Sequence, residues 1–73
     1  GKDHQSRFDL AAALYGQDQN EAAIDELLEL FRRDKKWDDE AARKQLVKIF
    51  EALGPTNLLT VSGRRQLSSL MFS

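Results

Sequence analysis

The amino-acid sequence predicts an all-α fold of four short antiparallel helices. Apolar residues recur at i, i+3, i+4 and i+7 in successive segments, the signature of amphipathic helices. No stretch shows the polar–apolar alternation of a half-buried strand. Capping residues and a Gly54-Pro55 stop divide the chain into pieces with short connections, which favour antiparallel neighbours. The expected helices cover about 6–16, 19–33, 39–53 and 58–71.

In the first segment Phe8, Ala11, Ala12 and Tyr15 share a face, with Leu10 and Leu14 on an adjacent strip. Alanine is the best helix former. Ala11, Ala12 and Ala13 are small enough to admit a neighbouring helix closely. In "DQNE", Asp18 is expected to cap the second helix while Glu21 reaches back to it, a capping box with Asp in place of Ser or Thr. Ile24, Leu27, Leu28 and Phe31 then form a regular stripe, widened by Ala23 and Leu30. Asp25, Glu26 and Glu29 face outward, and Arg32 and Arg33 complement the dipole in the last turn.

The third helix is marked at both ends. Asp38 is the expected N-cap, Asp39 and Glu40 put negative charge in the first turn, and Trp37 staples onto Ala42. Ala42, Leu46, Ile49, Phe50 and Leu53 make its buried stripe, and Glu40 can pair with Lys44 at i, i+4. Gly54 can leave the helix in a left-handed conformation, and Pro55 forbids continuation. Asn57 caps the fourth helix, whose inner face holds Leu59, Gly63, Leu67 and Leu70. A glycine inside a helix costs about 1 kcal/mol against alanine. The expected use of Gly63 is therefore close packing against the third helix.

Composition removes whole classes of function. A chain of 73 residues makes one domain with a small core. Without cysteine it has no disulfide framework, thiolate metal site or redox chemistry of its own. Eleven basic against twelve acidic residues give no broad positive field for nucleic acid. No apolar run approaches the ~20 residues of a membrane span, and nothing resembles a signal peptide, so a cytoplasmic setting without membrane contact is expected. The chain begins at Gly1 rather than Met, and is expected to be a fragment of a longer protein with Gly1 a cloning scar.

Catalysis finds no support. His4 is the single histidine and falls in an N-terminus expected to fray. Asp38 and Asp39 diverge at a helix start, where cap and dipole duty explains them. Ser68 and Ser69 have no histidine nearby in sequence and no elbow motif. No metal-ligand spacing or phosphate-cradling loop appears, so no cofactor is expected.

The C-terminal "RRQLSSLMFS" is unusual because chain ends seldom carry this much apolar surface. Leu67 and Leu70 fall on the inner stripe. Met71 and Phe72 sit beside or off it, and are the expected partner-contact residues in a helix-in-groove mode. Arg64 and Arg65 can either salt-bridge the third helix or flank a partner's acidic groups. Trp37 is a residue that interfaces favour, although its place before a cap also suits core closure. Arg32, Arg33, Lys35 and Lys36 read as a solvated helix end.

The first two helices resemble a tetratricopeptide repeat, with Ala11 in one and Ala23, Leu27 and Leu30 in the other. The repeat's usual Trp, Tyr and Pro are missing. The second half is more specific. "DDEAARKQL", "FEALGPT" and "GRRQLSSL", with "RFDLAAAL" and "AIDELLELFRRD" before them, closely resemble the C-terminal end of thioredoxin-like co-chaperones of the CnoX (YbbN) type. The likeness covers most of residues 7–73. Asp18 stands where a turn glycine is more usual in that family, and Leu58 where proline is frequent. The resemblance implies one tetratricopeptide-like hairpin followed by a second helical hairpin. It also implies a holdase function: binding unfolded client proteins and passing them to chaperone machinery, including a GroEL-type chaperonin. The family's thioredoxin-like domain is not among these residues.

Two other classes are expected to compete. A purely structural or self-association domain is one. A small helix-turn-helix nucleic-acid binder is the other, disfavoured because the fourth helix opens on "NLLTVSG" rather than on polar residues that could read bases.

Overall fold

A computed structural model describes residues 3–73. Gly1, read above as a cloning scar, lies outside the described residues. Four helices follow one another: α1 (His4–Gly16), α2 (Asn20–Arg33), α3 (Trp37–Leu53) and α4 (Leu58–Met71). There is no strand among the described residues. The second helix is the hub, packing against α1, α3 and α4, while α3 and α4 also pack on each other.

The core follows the apolar stripes. Ala23, Ile24, Leu27, Leu28, Leu30 and Phe31 of α2 are all buried, as are Ala42, Leu46, Ile49 and Phe50 of α3. From α4, Leu67 is buried, while Leu59 and Leu70 are half-buried against the core. In α1 only Ala11 is buried; Ala12 and Ala13 are exposed, so the expected three-alanine approach narrows to one residue. Phe8 and Tyr15 close over the core beside it. Glu26, expected to face outward, is half-buried against Arg7, whose guanidinium lies 2.8 Å from its carboxylate.

The helix ends depart from expectation more than the stripes do. The N-terminus does not fray at His4. Asp3 caps α1 by accepting the Ser6 amide at 2.7 Å, which starts the helix earlier than periodicity indicated. That bond from the Ser6 backbone holds the Asp3 carboxyl below its ordinary range. His4 then rests 3.5 Å from Asp34 and edge-on to Trp37.

Asp18 does not cap α2. It takes a left-handed conformation (φ 63°) in the turn after α1, and the N-cap position falls to Gln19, which makes no side-chain capping bond. Reversing the chain between α1 and α2 requires that backbone twist, and Asp tolerates it better than most residues.

The entry to α3 differs most. Asp38, Asp39 and Glu40 are all left-handed (φ 47°, 55° and 61°), and regular right-handed geometry begins after them. Asp38 is therefore no N-cap, and the turn re-aims its neighbours. Lys44 pairs with Asp39 at 2.8 Å, while Glu40 pairs with Arg43 at 2.9 Å, in place of the expected Glu40–Lys44 pair. The ring of Trp37 lies 5.6 Å from that of Phe8, so it ties α3 to α1.

The last junction matches the punctuation. Gly54 ends α3 at φ 94°, ψ 156°, in an extended mirror region open to glycine rather than the left-handed helical one. Asn57 caps α4 by accepting the Leu59 amide at 2.9 Å. Gly63 presses on α3: a Cβ placed there would lie 2.5 Å from Cε1 of the buried Phe50 ring. Thr60, not read as a core residue, is fully buried beside it, its hydroxyl without a hydrogen-bond partner.

Candidate functional site

The end of α4 divides its apolar residues between two roles. Leu67 and Leu70 turn inward and fix the helix to α2 and α3. Phe72 is 83% exposed and Met71 44% exposed. Met71 borders a shallow depression formed with Phe31, Lys35 and Lys36. Two large apolar side chains are thus presented at the tip of a helix whose preceding turns are anchored.

The other expected contact residues do not converge on that tip. Arg64 lies with its guanidinium 6.0 Å from the centre of the Phe50 ring, and among the described residues neither it nor Arg65 has an ion-pair partner. Arg65 is exposed to solvent on α4. Trp37 is half-buried against Phe8 and His4 of α1. Its position suits core closure.

A second surface was not foreseen from sequence. Three neighbouring depressions form a groove along the seam between α2 and α4, with Asp25 bordering each. Asp18, Glu21 and Asp25 stand on the α2 side, Leu58, Leu59 and Leu70 on the α4 side, and Ile24 and Gly63 in the floor. At its far end Glu29 accepts from both Arg32 and Arg33, bonds that hold its carboxyl down at about 2. The i, i+4 spacing of Glu21, Asp25 and Glu29 is visible in the sequence, but only the pairing of α2 with α4 turns it into the wall of a groove.

Among the described residues, no three His, Cys, Asp or Glu side chains gather to hold a metal ion. Ser68 and Ser69 are exposed on α4, whereas His4 sits on α1 beside Asp34. None of the described helices is long and apolar enough to cross a membrane.

A tetratricopeptide-repeat family model matches residues 1–72. The chain belongs to the tetratricopeptide repeat family. No curated protein and no solved structure matches it. Tetratricopeptide repeats are typically non-catalytic and mediate protein–protein contact. In this tetratricopeptide-repeat domain α1 and α2 pack as one helical hairpin, and α3 and α4 pack as a second pair.

Proposed function

We propose that this tetratricopeptide-repeat domain is the C-terminal, non-catalytic interaction module of a cytoplasmic thioredoxin-like co-chaperone of the CnoX (YbbN) type. Its partners are unfolded client proteins, a GroEL-type chaperonin, or both. The observation behind this is the exposure of Phe72, with Met71, on a helix held in place by Leu67 and Leu70. An aromatic side chain offers a large apolar area for a partner's pocket at low entropic cost. Arg64 and Arg65 lie about two turns back along the same helix and supply positive charge there. Trp37 offers only a half-buried edge.

The test is chaperonin binding, read by biolayer interferometry, for the full chain and for a version ending at Leu70. Circular dichroism confirms that both are folded. The expected result is binding by the full chain and its loss, by tenfold or more, in the folded truncation. Equal binding by both versions removes the tail from the interface. Exposure of Leu58 and Val61 in the first turn of α4 favours self-association as the second reading. A concentration-dependent mass in light scattering would support it.

A further inference from the structure

The α2–α4 groove carries an asymmetry that the fold itself does not require. Among the described residues Asp18, Glu21 and Asp25 form no ion pair, and no lysine or arginine lines the two depressions nearest Asp18 and Glu21. In the third, which Asp25 shares with Leu70, the one cation is Arg32, already paired with Glu29. The other carboxylates of α2 are engaged: Glu26 with Arg7, and Glu29 with Arg32 and Arg33. Glu21 complements the positive end of the α2 dipole. Asp25 lies more than a turn further in, beyond the reach of that explanation. Three uncompensated negative charges along one wall raise the local negative potential, and the apolar wall opposite lowers the local dielectric and strengthens it.

The opposite wall is apolar. Leu58 is 82% exposed there, and Leu59 and Leu70 are half-buried along the same seam. From Leu59 to Leu70 the helix rises about 16 Å, the length of three turns of a docked helix. Apolar anchors at i, i+3, i+4 and i+7 on a partner would match that wall.

We propose that the α2–α4 groove docks a basic amphipathic segment of another protein. Its apolar side chains lie on Leu58, Leu59 and Leu70, and its lysine or arginine side chains lie over Asp18, Glu21 and Asp25. This surface is separate from the Met71–Phe72 tip and does not depend on it. Charge complementarity selects the partner, because an acidic segment of the same pattern would face three like charges.

The test uses the full chain and a fluorescein-labelled, 15-residue synthetic peptide with leucines at helical spacing and lysines along one flank. A second peptide replaces every lysine with glutamate. Fluorescence anisotropy is expected to show saturable, salt-sensitive binding of the lysine peptide only. The double variant Glu21→Gln, Asp25→Asn should weaken it about tenfold, as expected for two partly desolvated ion pairs, and Leu58→Ser should weaken it severalfold. Asp38→Asn with Glu51→Gln removes the same charge outside the groove and should leave binding within twofold. Equal loss in both double variants would overturn the proposal in favour of diffuse attraction. Equal binding of the two peptides, or no saturable binding of either, would also overturn it. So would self-association dispersed by Glu21→Gln, Asp25→Asn, which would assign the groove to a second copy.

Discussion

Gly63 shows how one side chain's absence can set a helix–helix distance. Replacing it with alanine should gain about 1 kcal/mol in helix propensity. The new Cβ would meet Phe50 at 2.5 and 2.6 Å, against a ring that is itself fully buried. Overpacking of this kind costs about 1–3 kcal/mol. Gly63→Ala is therefore expected to lower stability by a net ~1 kcal/mol in urea denaturation, reversing the usual benefit of the substitution. This role was legible in the sequence, because an interior glycine needs a reason. Thr60 was not legible. A threonine three residues after a cap ordinarily faces water, and only the contact of α4 with its neighbours buries it.

The helices were legible where a stripe repeats and illegible where a turn begins. Every residue assigned to the α2 stripe is buried, because six apolar positions at helical spacing leave no other face to turn inward. Asp38–Glu40 looked like a capped start because acidic residues there have a ready explanation in the dipole. Their left-handed backbone comes from the path that brings Trp37 onto Phe8, a tertiary demand with no local signal. Such residues are strained by about 1–2 kcal/mol each. Asp38 is exposed and makes no side-chain bond, so Asp38→Gly should stabilise the domain by about 0.5–1 kcal/mol, measured by thermal or urea unfolding. The last turn of α2 has a different sensitivity. The Glu29 carboxyl titrates at about 2 rather than its ordinary 4.5, because Arg32 and Arg33 both donate to it. Its stabilising contribution is complete above about pH 4.5 and is lost as pH falls towards 2. Melting temperature should accordingly fall less steeply across that window in Glu29→Gln than in the parent, followed by circular dichroism.

At the scale of the whole molecule, fold class and helix order could be read from periodicity, but the surfaces could not. The exposed tip was half-visible, since Phe72 falls off the inner stripe of α4. Met71 beside it borders the start of α3, at Lys36 and Glu40, a neighbourhood that the sequence does not state. The groove was invisible because its walls lie more than thirty residues apart in sequence, and the sequence does not state which helix pairs lie side by side. Trp37 was weighed between interface and core, and its contact with Phe8 places it towards the core.

The hub position of α2 also orders events in time. The α1–α2 hairpin closes over a short turn, so its contacts form at little loop-closure cost. The seat for Gly63 is different. It consists of Phe50 from α3 and Ile24 from α2, and it exists only when those two helices already stand together. Docking of α4 is thus a late step in folding and an early one in unfolding. The helix that carries both proposed partner surfaces is therefore expected to open before the α1–α2 hairpin does.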